Sequence, residues 1–449
     1  MRKPKVVPRN NEQYDHLVSE YIIQDKSGNL DRLSHLANNV YNMALYLLRQ
    51  QLIKHHKWRD YTWLNKQFKL KYDNRENMLY SQFPYRQSIQ QTLREVEAVW
   101  YAWVKAVKAY HQNPAKFTGR PKMPGYLKKG SRHVSYVTGQ NAKVKDGYLI
   151  IHPRNGLLNI KIKLIDGIQK VSRVVFQPLS HQRFKVIVQY PITNTINYKL
   201  DNGRNMGIDP GLDNAFTCVI NDNTVQPLII NGRGIKSVNQ YYNKVLANLS
   251  SEHAKYKQCC VERNTKNGLR LIYYYSYHQQ LITEWRNKKI RSFCHQASRR
   301  IINYALNNNV NIIIIGKNKG QKRSINMGKK NNQNFVGLPH AKMINMIKYK
   351  ANLLGITVIT TNESYTSQTS FLDNEKPCKQ NGNYHRKLKH LTPIKRRIKR
   401  GLFRSNKGVL INADVNGALQ IIRKVFPNVS FVDGIAGAVL RPFKWSPTF

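Results

Sequence analysis

The stretch that decides the fold is NMGIDPGLDNAFTCVI, residues 205–220. A short apolar run stops at Asp209, a Pro-Gly pair follows, and a second apolar run begins at Ala215. Asp is a poor strand residue, so its position beside a core strand needs a physical reason. Two are open. Asp-Pro-Gly is ordinary turn chemistry between two strands; alternatively, the carboxylate is fixed at a strand end, where a nuclease holds a catalytic metal ion.

Outward from this stretch, strand and helix signals alternate from Asp201 onward, the pattern of an α/β layer fold. A basic helix is predicted over 278–308, and NIIIIG at 311–316 reads as a buried strand. A helix over 339–354 is predicted to line one face with Ala341, Ile344, Ile347, Ala351 and Leu354. ITVIT at 356–360 is the next strand, and INADVNGALQIIRKVF opens a last helix close to Asp414. Between them, residues 379–408 hold eleven Lys/Arg and no acid, which reads as a basic insert without a core of its own.

Upstream the signals differ. From Leu30 to Tyr110 apolar residues recur at helical spacing, with Leu33, Leu36, Val40, Ala44, Leu47 and Leu48 forming one stripe. The pattern breaks at NPAKFTGRPKMPGYLKKG, residues 113–130. Short alternating runs over 133–196, such as RFKVIVQYPI, then read as a small antiparallel β-barrel or sandwich. The fold class is multidomain: a helical domain, a small antiparallel β-barrel domain and an α/β domain.

Composition narrows the function. The 449 residues carry 74 Lys+Arg against 24 Asp+Glu, a net charge of +50, which repels itself strongly unless a polyanion neutralises it. Nucleic acid is the expected partner. No apolar run of about 20 residues exists to cross a membrane, and MRKPKVVPRNNEQ lacks a leader's apolar core, so a cytoplasmic, nucleoid-associated location is expected. Five cysteines, at 218, 259, 260, 294 and 378, form no CxxC pair and suggest no disulfide framework.

So basic a chain makes acids scarce, and few of those after Asp201 sit beside apolar strands. Asp209 ends the first strand, Glu363 follows ITVIT after two residues, and Asp414 begins the last helix. Together they make a metal cage for two divalent ions acting on a phosphodiester, with Mg²⁺ the ion suited to hard oxygen ligands. Each also has a plain reading: Glu363 as an exposed loop residue, Asp414 as an acid favoured by the helix dipole. For nucleic-acid contact the candidates are Lys116, Arg120 and Lys122 in the Pro/Gly/Lys segment. On the basic helix they are Arg286, Lys288, Lys289, Arg291, Arg299 and Arg300. Tyr273, Tyr274, Tyr275 and Tyr277 are read as core rather than as base-stacking residues, and His295 as a packed helix residue.

At these residues the chain resembles the TnpB family, transposon-encoded RNA-guided nucleases related to type V CRISPR effectors. GIDPGL resembles the family's first RuvC-like motif and NADVNGALQI its third; IIIIGKNKG, the segment 331–356, ESYTSQ and FTGRPKMP resemble family text between and before them. The resemblance implies a wedge barrel at 1–29 and 116–200 and a helical recognition domain at 30–115. It implies a RuvC-like, RNase-H-type nuclease at 201–364 and 409–449, with a degenerate zinc-ribbon-like insert at 365–408. It implies a guide RNA derived from the transposon end, double- or single-stranded target DNA, and two Mg²⁺ ions on Asp209, Glu363 and Asp414.

Two departures stand out. The second family motif usually ends its strand in Glu, but this chain has Gly316, and no acid occurs from 285 to 362. A subset of the family resembles this arrangement, with the carboxylate moved to the later motif, here Glu363. A Glu on the neighbouring strand, about 5 Å away, could reach the same place. The zinc ribbon's four cysteines are reduced to Cys378, which with His385 cannot close a four-ligand site, so no structural zinc is expected. The competing functions are a guided DNA-binding repressor that has lost cleavage, which Gly316 favours, and a protein that merely coats structural RNA.

Overall fold

The structure, a computed structural model, describes residues 14–72, 83–152, 160–165, 167–180, 182–192, 197–255, 260–265, 268–273, 276–317, 333, 337–364, 366–375, 397–399, 401–429 and 437–448. The described chain divides into two compact units, Tyr14–Thr193 and Asn194–Phe449.

In the first unit, β1 (His16–Gln24) is followed by three helices, α1 (Asn29–His55), α2 (Tyr61–Tyr72) and α3 (Arg86–Gln112). Leu33, Leu36, Val40, Ala44 and Leu48 of α1 are buried along the predicted stripe, while Leu47 packs at its margin. Asn38 and Asn42, one turn apart, grip the irregular segment behind them: Asn38 donates to Ser131 O (2.6 Å) and Asn42 Oδ1 accepts from Leu127 N (2.8 Å). That is how a Pro/Gly/Lys stretch without a ladder has its backbone polar groups paired.

Six further strands complete the unit: β2 (Ser135–Thr138), β3 (Ala142–Lys145), β4 (Tyr148–Ile151), β5 (Ile160–Lys163), β6 (Arg173–Pro178) and β7 (Arg183–Pro191). They form a four-stranded sheet, β1-β7-β6-β2, and a separate three-stranded sheet, β3-β4-β5. Alternation drives the first: Val174 and Phe176 of β6 face Val188 and Val186 of β7, all buried. Of the barrel or sandwich expected, the described residues show two separate sheets with no strand pair joining them into one barrel.

The second unit contains β8 (Asn205–Pro210), β9 (Asn214–Ile220), β10 (Leu228–Asn231), α4 (Arg233–Ala254), the hairpin β11 (Cys260–Thr265) and β12 (Gly268–Tyr273), and α5 (Tyr277–Asn307). After these come β13 (Ile312–Gly316), α6 (His340–Asn352), β14 (Thr357–Thr361), β15 (Arg397–Lys399), β16 (Leu402–Arg404), β17 (Leu410–Asn412), α7 (Ala413–Val425), α8 (Gly437–Leu440) and β18 (Phe443–Trp445). The central sheet has the order β14-β13-β8-β9-β10-β18. β8, β9 and β10 are an antiparallel meander, and β13 and β14 add in parallel beside β8. β13 is buried at every position because both faces are covered: Ile313 and Ile315 pack with α5 and α6, Ile312 and Ile314 with α7. An unbroken isoleucine run is the signature of such a strand.

α6 departs from its predicted face. Met343, Ile344, Ile347 and Ala351 are buried, but Ala341 and Leu354 are exposed. The stripe begins instead at His340, whose Nε2–H donates to Gly211 O (2.8 Å) and so ties α6 to the β8–β9 turn. α5 opens on a capping box, Ser276 with Gln279. Tyr277 beside it is 46% exposed, against the core placement expected; the side chain of Tyr273 and all of Tyr274 and Tyr275 lie outside the described residues. No described helix is long and apolar enough to cross a membrane.

Candidate active site

Three carboxylates lie on the α7 face of the central sheet, near enough for Glu363 and Asp414 to act on Asp209 electrostatically. Asp209 lies within β8, paired with Thr217 of β9, one residue before Pro210. The ladder with β13 stops at Ile208, so the missing N–H of Pro210 falls where no partner strand needs it. Side-chain alternation sends Ile208 into the α5/α6 core and Asp209 the other way, onto α7. The tight turn is Gly211–Asn214 and not Asp-Pro-Gly itself. Asp213 there binds Lys236 at 3.2 Å, so it is a turn residue and not part of the cluster.

Asp414 occupies the first turn of α7. Asn412 caps the helix, its side chain accepting from Asp414 N (2.9 Å) and Val415 N (3.3 Å), which fixes the backbone under the carboxylate. Asn214 Nδ2 donates to Asp414 Oδ2 at 2.7 Å and orients it. Asp209 comes against the same helix: a Cβ added at Gly417 would stand 2.8 Å from Asp209 Oδ2, so only glycine admits the carboxylate here.

Glu363 follows β14 by two residues. β13 and β14 are parallel neighbours, Gly316 level with Thr361. A Cβ added at Gly316 would meet Glu363 Oε2 at 2.9 Å, Glu363 Cβ at 3.0 Å and Ile421 Cδ1 at 2.7 Å. The Glu363 side chain therefore fills the space that a side chain on the end of β13 would take.

The electrostatics agree with three acids held together. Burial pushes the Asp209 carboxyl well above its ordinary range, repulsion from Glu363 and then Asp414 raises it further, and Arg397 partly offsets this. Burial likewise raises Glu363 to about 7, against the pull of Lys424. Glu363 Oε2 is buried without a hydrogen-bond partner. A buried carboxylate oxygen with no donor, beside the Asp209 carboxylate, fits a site completed by a cation. Among the described residues, however, no three His, Cys, Asp or Glu side chains converge closely enough to hold one ion. Asp209, Glu363 and Asp414 are the residues that would hold a divalent ion here, and oxygens from substrate phosphate or water would have to complete its shell.

Three residues near the cluster were missed in the sequence. Asn214 gives a weak signal, as a polar residue entering an apolar strand. Lys424 gives none. Arg397 is one of eleven cations in its stretch. It pairs across from Phe403, and Phe403 from Ile411; the latter two are buried beneath α7, so Arg397 shares the face turned toward the carboxylates.

The predicted nucleic-acid residues divide. Lys116, Arg120 and Lys122 are exposed. On α5, Lys288 and Arg299 are exposed, and Lys289 and Arg291 are half-buried. Arg286 donates to Asn239 Oδ1 (2.8 Å) and lies over Tyr242, and Arg300 lies over Phe443, so both also bind α5 to its neighbours. His295 is half-buried, its carbonyl accepting from the buried Lys350 (2.9 Å). Cys378 and His385 lie outside the described residues.

Residues 340–421, from α6 to the middle of α7, match the family model described as Cas12f1-like, TNB domain. That segment of the chain is similar to a Cas12f1-like TNB domain. The family match spans β14, the loop bearing Glu363 and the turn bearing Asp414. Among solved structures, a Cas12f1–sgRNA–target DNA complex is 14% identical over 90% of this chain and 98% of its own, with a TM-score of 0.32. Alicyclobacillus acidoterrestris C2c1 with single-guide RNA is 10% identical over 90% of this chain and 70% of its own, with a TM-score of 0.34. Likenesses at this level bear no functional inference. No curated protein sequence matches the chain.

Proposed function

We infer that the chain is an RNA-guided, divalent-metal-dependent DNA endonuclease of TnpB type, with Asp209, Glu363 and Asp414 as the catalytic carboxylates. The observation that carries this reading is Glu363 standing in the space left by Gly316, against the same face as Asp209 and Asp414. The family match and a charge of +50 support guide RNA and target DNA as partners. The sheet order, an antiparallel meander with two parallel strands beside its first member, supports the RNase-H-like, RuvC-like description of the second unit.

In this reading Asp209, Glu363 and Asp414 would hold two Mg²⁺ ions, which activate water and stabilise the leaving oxygen of a phosphodiester when bound. Asp209 and Glu363 must be ionised to serve, so the raised values of the metal-free site mean that protons leave as cations enter. Asn214 keeps one oxygen of Asp414 occupied and so directs the other. Arg397, exposed and turned toward the cluster, is placed to meet a phosphate. Pairing with the guide would read the target sequence, and the protein would read a short flanking motif.

A guided DNA-binding repressor is the second reading, favoured by the looseness of the triad among the described residues. The deciding experiment is exposure of a plasmid library, with randomised flanks beside the guide match, to the protein–RNA complex in Mg²⁺. Guide-dependent cuts beside a shared flank support the endonuclease. Tight guide-dependent binding with intact plasmid supports the repressor.

A further inference from the structure

α7 reaches the carboxylate cluster at both ends. Its first turn carries Asp414 and its last turn carries Lys424. A lysine at a helix C-terminus ordinarily bonds its own last carbonyls or extends into water. Lys424 does neither with the two hydrogen bonds at issue: Nζ donates to Asn362 O at 2.8 Å and to Ser364 O at 2.6 Å. Those two carbonyls bracket Glu363.

The same helix grips the chain further on. Asn416 donates to Thr369 O (2.8 Å) and accepts from Phe371 N (2.9 Å), and Gln420 donates to Glu375 O (3.2 Å). Arg423 donates to Phe371 O (3.2 Å) and lies 3.9 Å from the Phe371 ring centre. Residues 416, 420 and 423 fall on one face, so α7 turns a buried polar stripe toward the segment that begins with Glu363.

The displaced acid creates a need for such a hold. A glutamate on the end of β13 would be fixed by a strand paired on both sides. Glu363 instead sits two residues beyond β14, past the end of its ladder. We propose that Lys424 is the positioning residue of Glu363, fixing the 362–364 backbone so that the carboxylate stays in the space left by Gly316. This rests on the reading of Glu363 as a metal-binding carboxylate.

The test is Mn²⁺ binding to the full-length chain, followed by electron paramagnetic resonance, for the parent, Lys424→Met, Lys424→Arg, Glu363→Ala and the Lys424→Met/Glu363→Ala double variant. Lys424→Met is expected to weaken binding by about 10–100-fold, the effect of losing an outer-shell partner. Lys424→Arg retains most of the affinity, since a guanidinium can donate to both carbonyls. With Glu363 already removed, Lys424→Met weakens binding no further. Parent-like binding by Lys424→Met, with Glu363→Ala weakened, overturns the role of Lys424 and leaves the metal reading standing. Equal losses from Lys424→Met with and without Glu363 overturn it as well, because they report general damage. Parent-like binding by Glu363→Ala removes the metal reading and this proposal with it.

Discussion

A side chain at position 316 would begin 2.7 Å from Ile421 Cδ1 and 2.9 Å from Glu363 Oε2, so even a methyl group must displace the carboxylate. Gly316→Ala is therefore expected to slow cleavage nearly as far as Glu363→Ala does. Gly316→Glu in the Glu363→Ala background should recover part of the rate, because it returns the acid to the strand end. Cleavage time courses of the three variants check both statements. Protonation gives a second test at this scale. The folded chain raises Glu363 to about 7, above the ordinary carboxylate value, so its stabilising contribution is complete at low pH and is lost as pH rises through about 7. Without metal, Glu363→Gln should melt higher than the parent at about pH 8 and lose that advantage at about pH 5. Asp209 was legible in the sequence because an acid beside a core strand violates local propensity; Lys424 was not, because nothing local marks a lysine whose partners lie sixty residues away.

At the scale of elements, α7 sets the geometry by lying close to β8. A Cβ at Gly207 would fall 2.2 Å from Ala418 O, so the approach of helix and strand leaves no room for one. Gly207→Ala should destabilise the unit by about 1–3 kcal/mol, as overpacking does, read from a denaturant midpoint. The parallel pair β13 and β14 with its helical crossover was legible, because a buried isoleucine run bounded by a helix admits few other arrangements. The face of α6 was only partly legible. Periodicity proposed Ala341 and Leu354, but a histidine bonded to the β8–β9 turn sets where the buried stripe begins, and such a tertiary bond leaves no mark in spacing.

For the whole molecule, a net charge of +50 favours a polyanionic partner, while register and burial say which cations are available to meet one. Arg286 and Arg300 are engaged between elements, whereas Lys116, Arg120 and Lys122 are exposed. Replacing those three with alanine should reduce the slope of log affinity for RNA against log salt by about 2–3, checked by binding titrations at several salt concentrations. The order of elements could be read from changes in hydrophobic period; the packing of the upstream helices and two sheets as one unit on one core could not, since alternation fixes faces and not partners. The catalytic role of Glu363 is tested most directly by single-turnover cleavage of a guide-matched duplex in Mg²⁺ by the protein–RNA complex carrying Glu363→Ala. It predicts a rate at least about a thousandfold below the parent, with guide-dependent DNA binding retained, as expected when a group that acts on the transition state is removed. Cleavage by Glu363→Ala at the parent's rate would contradict it.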